Sequence, residues 1–456
     1  MEQLLRSTAE RAWRYHQSLS ERNVGPTRAA IQALSRLDEP LPEAPADAEA
    51  VIALLDEVGS PATMASAGPR FFGFVIGGAL PAALAANWLA GAWDQNAGLV
   101  AASPVAAKLE EVAMGWLLDV LQLPAGCGVG FVTCATQANF CGLAAARHAL
   151  LARQGWDVET QGLFGAPPIT VVVGDEVHVS VLKALALLGL GRERVVRVPV
   201  DGQGRMRPDA LPALDANTIV CLQAGNVNTG AFDPADQIIP QAQAAGVWVH
   251  VDGAFGLWTA ASPGRAHLMK GYAAADSWAT DAHKWLNAPY DSGIVFVSEP
   301  QHLHAAMTVN AAYLVQGEQR EPFHYVPDFS RRARGVEVWA ALRSLGRQGL
   351  ADLIERTCRH AARFGAGLRA AGYQILNDVV INQVLVSFGD AETTRRVIAA
   401  VQEDGACWCG GTLWQGRTAM RISVSSWATT EEDVERSLEA MLRVAAFHTQ
   451  SEPEPA

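Results

Sequence analysis

The 456-residue sequence contains 35 Lys and Arg residues against 47 Asp and Glu residues, a formal net charge of -12, and half of its residues are hydrophobic. This composition supports a large core divided among two or three domains, and the acidic balance without a basic run argues against nucleic-acid binding. The seven cysteines lie in apolar stretches without metal-ligand spacing, which favours reduced thiols in a cytoplasmic protein over disulfides or a metal site.

Residues 1–104 are expected to form an N-terminal helical segment. Leu5, Ala9, Ala12 and Trp13 recur at helical spacing. Such an arm either packs on its own chain or wraps a partner subunit, and the sequence favours neither. The opening residues lack the apolar core of a signal peptide, and glycines and a proline interrupt the most apolar stretch, residues 71–89, so no membrane span is predicted.

Residues 105–345 are predicted to form an α/β domain with a mostly parallel sheet flanked by helices. Short apolar runs without clean alternation, typical of parallel strands covered on both faces, alternate here with Ala- and Leu-rich helical stretches. The predicted strands are 130–132, 169–173, 218–222, 247–251 and 293–297, and the clearest helices are 138–153 and 180–188.

Residues 346–450 are predicted to form a smaller C-terminal α+β domain. A helix over 349–371 leads to strands at 383–388 and 420–424, and a capping box beginning at Thr430 starts a final amphipathic helix. The residues 451–456 are rich in Pro and Glu and are predicted to be a disordered tail.

Four chemically distinctive features follow predicted strands, where open α/β sheets bind their ligands. A turn over residues 133–137 carries small and hydroxylic side chains that suit an anion at a helix N-terminus. His178 is suited to stacking on a flat ligand, and Asp252 ends a very apolar strand and needs a cationic partner. Taken singly, the turn and Asp252 are also compatible with an ordinary N-capped turn and a helix-capping aspartate, and His178 alone is favoured as a packed histidine.

Lys284 is the fourth feature, and aromatic and apolar residues flank it closely on both sides. Burial destabilises the charged ammonium, so a lysine in such a segment becomes a nucleophile toward carbonyl groups. The alternative is a surface lysine that lies along an apolar patch. Together the four features match pyridoxal phosphate, which needs an amine for its aldehyde, a carboxylate facing its pyridine nitrogen, a flat group against its ring and donors for its phosphate.

The chain also resembles the group II pyridoxal-phosphate-dependent amino-acid decarboxylases, relatives of the aromatic amino-acid and glutamate decarboxylases. The matching stretches are residues 250–256, residues 275–277 leading to 283–285, and residues 330–334 before Trp339, and the resemblance runs from about residue 65 to 445. It implies a fold-type-I homodimer whose active sites are shared between subunits, with the N-terminal segment wrapping the partner.

The resemblance also implies roles for individual residues. Lys284 forms the Schiff base, Asp252 pairs with the pyridine nitrogen, and His178 stacks on the ring. The remaining cofactor-binding residues are Ala254 on the other ring face, Ala135, Thr136 and His283 at the phosphate, and Asn228. The chain departs from the family at Cys134–Ala135, where a glycine pair is usual, and at residues 225–229, which replace a Gly-Thr-Thr stretch.

Four positions bear on the substrate and the reaction. Tyr313 matches a loop tyrosine that protonates the substrate Cα after carbon dioxide leaves. Arg331 matches an arginine that binds the substrate carboxylate in some members; a salt bridge is its alternative role. Phe72 and Trp93 belong to an aromatic cluster in the matching substrate region, which suggests an aromatic or bulky substrate, although the same rings are equally suited to a core.

The favoured function is α-decarboxylation of an L-amino acid through an external aldimine and a quinonoid carbanion. The first alternative is a carbon–carbon lyase of the same fold that acts on a β-hydroxy amino acid or a sphingoid-like substrate. The second is a cofactor-binding regulator without turnover, which the presence of both Lys284 and Tyr313 and the lack of an appended DNA-binding domain argue against.

Overall fold

The computed structural model describes residues 1–308 and 320–449, which form two compact units. The smaller unit contains residues 1–78, 360–376 and the C-terminal part of the chain from residue 384. The larger contains residues 79–359 and 377–383. Tyr313 and the predicted disordered tail lie outside the described residues.

The N-terminal segment is helical, as its pattern predicts, but it does not form one structural unit. Its first part contributes α1 (Glu2–Ser18), α2 (Arg28–Ala33), α3 (Ala48–Leu54) and α4 (Ser60–Ala62) to the smaller unit. Phe72 then pairs with C-terminal strand segments, donating its N–H to the Trp408 carbonyl and accepting the Ser423 N–H. This pairing explains why the division falls at residue 78 rather than at the predicted boundary near 104.

The larger unit contains the main sheet. Its strands are β1 (Gly128–Val132), β2 (Thr170–Gly174), β3 (Val196–Val198), β4 (Thr218–Gln223), β5 (Trp248–Asp252), β6 (Ser277–Asp281) and β7 (Gly293–Val297). Its helices are α5 (Pro81–Trp93), α6 (Pro104–Val120), α7 (Ala135–Ala152), α8 (Val158–Gln161), α9 (Val179–Leu187), α10 (Ala235–Ala244) and α11 (Pro300–Met307). The helical stretch α12 (Gly335–Ala370), broken at Gly346, contributes to both units.

The strand order is β1-β7-β6-β5-β4-β2-β3. β7 is antiparallel to both of its neighbours, and the other strand pairs are parallel. β1 and β6 therefore point the same way, and the C-terminal ends of β1, β6, β5, β4 and β2 lie along one edge of the sheet. The predicted α/β fold with a mostly parallel sheet is confirmed.

The core of the larger unit explains which strands the sequence predicted. Strands β1, β4, β5 and β7 are buried at every position, and the apolar runs locate all four to within a few residues. β6 is equally buried but reads Ser-Trp-Ala-Thr-Asp, so its polar residues concealed it. Helix α7 lies against β5, β6 and β7, and a side chain at Gly142 would meet the His250 ring 2.8 Å away.

The C-terminal part of the smaller unit is the predicted α+β element. It contains β8 (Gln374–Ile375), β9 (Gln383–Ser387), α13 (Ala391–Asp404), β10 (Gly410–Trp414), β11 (Arg417–Ser423) and α14 (Glu431–Thr449). These strands form a four-stranded sheet in the order β10-β11-β9-β8. Within residues 1–308 and 320–449, none of the helices combines the length and apolar character needed to cross a bilayer.

Candidate active site

The sequence-predicted cofactor residues of the larger unit converge at one edge of its sheet. Thr133 follows β1, His178 follows β2, Asn228 follows β4, Asp252 ends β5 and Lys284 follows β6. The strand order explains the convergence, because these five strands share a direction and open parallel sheets bind ligands beyond their carboxyl ends.

Lys284 has a carboxylate partner that the sequence argument did not identify. Its Nζ lies 3.1 Å from Oδ2 of Asp281, and its side chain is only 18% exposed. Asp281 ends β6 three residues earlier, so the turn after the strand brings the two side chains together. The amine is held at the sheet edge by an ion pair, in a partly buried position that a carbonyl ligand can still reach.

Asp281 also contacts the predicted phosphate turn. Its Oδ1 accepts the backbone N–H of Ala135 at 2.6 Å, at the first residue of α7. The positive end of a helix dipole stabilises an anion at this position, and here the anion is a side chain. Thr133 closes the turn by donating its N–H and its hydroxyl to Oε1 of Gln137, each at 2.9 Å.

Asp252 is a buried carboxylate that, among the described residues, accepts hydrogen bonds from neutral groups only. Its Oδ2 accepts from Nδ2 of Asn139 at 3.1 Å and from Oγ of Ser180 at 3.2 Å, and its Oδ1 accepts from the N–H of Ala254 at 3.2 Å. Its exposed fraction is 5%, and no Lys, Arg or His of the described chain lies within ion-pair distance of it. A buried carboxylate calls for a cation, so this donor set fits the protonated pyridine nitrogen of pyridoxal phosphate.

His178 caps α9 and is linked to Asp252 through one hydroxyl. Its Nδ1 lies 2.7 Å from Oγ of Ser180, the same hydroxyl that donates to Asp252. The backbone N–H of Ser180 also donates to Nδ1 at 3.2 Å, which restrains the ring. Asn228 lies in a turn in which its N–H donates to Oδ1 of Asn226 at 2.8 Å.

His283 is held as a neutral imidazole beside Lys284. Burial lowers the pKa of His283, and its Nδ1 accepts the Ser292 N–H at 3.1 Å, so Nε2 carries the proton. The ring lies against Tyr290, with the centroids 4.2 Å apart and the planes 30° from parallel. The Nε2–H faces Oδ1 of Asp281 at 3.6 Å, so a donor is available at the N-terminus of α7.

The structure places the predicted substrate residues in contrasting surroundings. Arg331 is buried, with its Nη2 2.6 Å from Oε1 of Glu110 and 3.0 Å from the Phe131 carbonyl. Phe72 is buried inside the smaller unit, with its ring edge-to-face to Phe364. Trp93, at the end of α5, is 41% exposed. The role of each as a substrate contact stays a prediction, and Arg331 already has a full ion-pair partner.

Sequence reasoning missed Asp281, Asn139 and Ser180. Asn139 follows the predicted phosphate turn by two residues and Asp281 precedes Lys284 by three, but a single polar residue in a buried segment has no distinguishing pattern. Ser180 follows His178 by two residues at the start of a helix, where capping is the usual role of serine. The spacing of three residues between Asp281 and Lys284 was the one signal that would have found Asp281.

The comparisons with known proteins agree with this geometry. Residues 31–389 match the model of the pyridoxal-dependent decarboxylase conserved domain. Tryptophan decarboxylase 1 of Oryza sativa subsp. japonica is 27% identical over 82% of this chain and 79% of its own length. The L-2,4-diaminobutyrate decarboxylase of Rhizobium meliloti (strain 1021) is 28% identical over 90% of this chain and 86% of its own.

A solved structure shares the fold. The crystal structure of Oryza sativa TDC with PLP and tryptamine superposes with a TM-score of 0.91, covering 98% of this chain and 97% of that one at 23% identity. The names of these relatives support decarboxylation over the carbon–carbon lyase alternative, and the predicted cofactor and reaction type are confirmed. The chain therefore belongs to the pyridoxal-dependent decarboxylase family and is a pyridoxal-phosphate-dependent amino-acid decarboxylase.

Proposed function

We propose that this decarboxylase acts on an L-amino acid with an aromatic or bulky side chain, and that Lys284 and Asp252 hold the reactive ends of the cofactor. The observation that carries the residue assignment is the buried Asp252 carboxylate, which only neutral groups contact in the described chain. It lies on the strand next to the one that Lys284 follows.

Pyridoxal phosphate, when bound, forms an imine with an amine and accepts the electron pair released when a bond to the α-carbon breaks. Asp252 would hold a proton at the pyridine nitrogen, and Lys284 would bind the aldehyde carbon. His178 and Ala254 would lie on the two faces of the ring. At the phosphate, Thr136 and the Nε2–H of His283 would donate, together with the Ala135 N–H once Asp281 releases it; Asn228 would complete the cofactor contacts.

Tyr313 is proposed to donate a proton to the substrate carbon that has lost its carboxylate. Positioning a phenol close to that carbon directs the outcome toward the amine, since proton transfer from a placed side chain outpaces transfer from water. Arg331 is proposed to bind the substrate carboxylate only if Glu110 gives up part of its ion pair. Otherwise Arg331 serves to tie Glu110 to the carbonyl of β1.

The aromatic substrate class rests on two supports. One relative is named for tryptophan, although another of similar identity is named for diaminobutyrate. The second support is the aromatic content of residues 71–93, where Trp93 is partly exposed. Phe72 enters the proposal only as a predicted substrate contact, because its ring is packed within its own unit.

We also propose a cytoplasmic homodimer with shared active sites. Trp88, Leu89 and Trp93 on α5 are each more than 40% exposed, and a second copy of the chain would cover this apolar surface. All seven cysteines are free thiols, which suits a reducing compartment.

The test is a product analysis of holoenzyme. Purified protein saturated with pyridoxal phosphate is incubated separately with L-tryptophan, L-tyrosine, L-glutamate and L-2,4-diaminobutyrate, and carbon dioxide and amine are quantified by mass spectrometry. We expect the aromatic substrates to give the highest turnover, with D-tryptophan as the inactive control. Turnover confined to glutamate or diaminobutyrate would contradict the substrate class while leaving the reaction type intact.

A further inference from the structure

A chain of buried polar side chains extends from Asp252 into the core of the larger unit. Nδ2 of Asn139 donates to Asp252, and Oδ1 of Asn139 lies 2.8 Å from Nε2 of His250. Nδ1 of His250 lies 2.8 Å from Oγ of Ser277, which accepts the indole N–H of Trp248 at 2.9 Å. We call Trp248, Ser277, His250 and Asn139 the relay.

The chemistry of Asp252 fixes the direction of every hydrogen bond in the relay. A carboxylate only accepts, so the Asn139 amide must present its nitrogen to Asp252 and its oxygen to His250. Nε2 of His250 must then carry a proton. Because the Ser277 hydroxyl already accepts from the indole, its own proton is available for Nδ1 of His250.

Burial keeps His250 in that neutral form. Its exposed fraction is 0%, and desolvation lowers the pKa of His250 to about 4 even though Asp252 acts in the opposite direction. A neutral imidazole with a protonated Nε2 has an acceptor at Nδ1, which Ser277 satisfies. Helix α7 also approaches the ring closely at Gly142, since a Cβ atom added there would lie 2.8 Å from Cε1 of His250.

We propose that His250 is a positioning residue for the cofactor: through Asn139 it keeps an amide N–H on Asp252, so that this carboxylate stays oriented toward the pyridine nitrogen. The inference rests on the proposed role of Asp252. Without the Nε2–H donor, Oδ1 of Asn139 loses its partner, and only the bonds from Nδ2 to Asp252 and to Oγ of Ser180 still hold the amide. The amide is then held less firmly, and the hydrogen bond that it donates to the carboxylate is weakened.

The test compares His250→Phe with His250→Gln, whose side-chain N–H reaches the position of Nε2. Two readouts are taken: the cofactor dissociation constant from titration of apoprotein, and the NMR signal of an isotope-labelled pyridine nitrogen in holoenzyme. We expect His250→Phe to weaken cofactor binding about tenfold, as for loss of a hydrogen bond to a charged group, and to move the nitrogen signal toward the unprotonated form. His250→Gln should keep most of the cofactor affinity and most of the nitrogen signal of the wild type.

The matched control is Trp278→Phe on the neighbouring strand. Like Trp248, Trp278 is fully buried with a bonded indole N–H, but its partner is the Tyr272 carbonyl outside the relay. The control should lower thermal stability without moving the nitrogen signal. If His250→Phe does not fold, Ser277→Ala is the test of the relay instead. We expect it to move the pyridine nitrogen signal in the same direction, toward the unprotonated form.

Two outcomes separate this inference from the proposed function. A folded His250→Phe with unchanged affinity and nitrogen signal, or an unaltered signal in Ser277→Ala if the Phe variant fails to fold, overturns the relay. Asp252→Asn is measured in parallel. If it too leaves the nitrogen signal unchanged, the assignment of Asp252 to the pyridine nitrogen is wrong, and the relay fails with it.

Discussion

The Nζ atom of Lys284 lies 3.1 Å from one oxygen of Asp281, while the other oxygen of that carboxylate accepts the N–H of Ala135 at 2.6 Å. One buried side chain therefore links the proposed cofactor lysine to the helix N-terminus proposed for the phosphate. A phosphate brought to that terminus would meet a carboxylate that carries the same sign of charge.

Asp281→Asn is expected to tighten cofactor binding several-fold. The substitution removes a negative charge from the N-terminus of α7, where the cofactor phosphate would add its own. The measurement is a titration of apoprotein with pyridoxal phosphate. Asp276→Asn is the control, since the half-buried Asp276 likewise accepts a backbone N–H, from Val249, but lies immediately before β6. Weaker binding in Asp281→Asn would show that holding Ala135 matters more than the repulsion.

Lys284→Ala is expected to abolish both decarboxylation and the visible absorbance of the lysine-bound cofactor, because no other amine is proposed to reach the aldehyde. The control is Lys183→Ala, which changes an exposed lysine on α9. The absorbance spectrum of each dialysed holoprotein is the measurement. An unchanged spectrum in Lys284→Ala would exclude Lys284 as the ligand of the aldehyde.

Tyr313→Phe is expected to divert turnover from amine to aldehyde, ammonia and hydrogen peroxide with consumption of oxygen, since the proposed proton donor to the substrate carbon is lost. An oxygen electrode and quantified amine measure the partition under air and under nitrogen. Tyr325→Phe is the control. The Tyr325 ring packs against the Arg320 guanidinium, whose Cζ lies 4.3 Å from the ring centroid, and Tyr325 has no proposed role in proton transfer. An unaltered amine yield would remove Tyr313 from the mechanism.

Glu110→Gln is expected to lower the free energy of unfolding by about 3–5 kcal/mol, because it leaves the buried Arg331 guanidinium without its counter-charge. Both side chains are 1% exposed and lie 2.6 Å apart. Urea unfolding measures the loss. Glu111→Gln is the control on the same helix, where an exposed pair with Lys108 should contribute little. A loss of unfolding free energy no larger than that of the control would show that Arg331 does not depend on Glu110 and is available to bind the substrate carboxylate.

The pH dependence of stability is expected to carry a contribution from His250. Its pKa in the folded protein is about 4 against 6.5 for an ordinary histidine, so between these values the unfolded chain binds a proton that the folded chain does not. The stability contribution is therefore complete above pH 6.5 and is lost as the pH falls toward 4, by about 3 kcal/mol in total.

His250→Phe tests this contribution. The difference in unfolding free energy between wild type and variant should shrink by that amount between pH 7 and pH 4. Burial raises the pKa of Asp233 and of Asp276 to about 6, which acts in the opposite direction, but both groups are present in both proteins and cancel. A difference that stays constant with pH would mean that His250 titrates normally.

The fold class, the cofactor and the type of reaction were all predictable from the sequence alone. Strands that are buried on both faces need continuous apolar runs, so β1, β4, β5 and β7 were visible. Asp252 and Lys284 stood out because charged groups are costly beside apolar residues. The division into units was less visible, since the pairing of Phe72 with residues near 408 and 423 joins segments far apart in the chain.

The neutral and charged groups around Asp252 and Lys284 became visible only in the folded chain. Asn139, Ser180 and Asp281 are ordinary polar residues in their own segments, and they gain meaning because the sheet brings the ends of β1, β2, β5 and β6 to one edge. Hydrogen bonds act over about 3 Å, whereas Asn139 and Asp252 are 113 positions apart along the chain. Local patterns report which side chains are buried, but the partners of a buried polar group are set by the packing of the strands and helices around it.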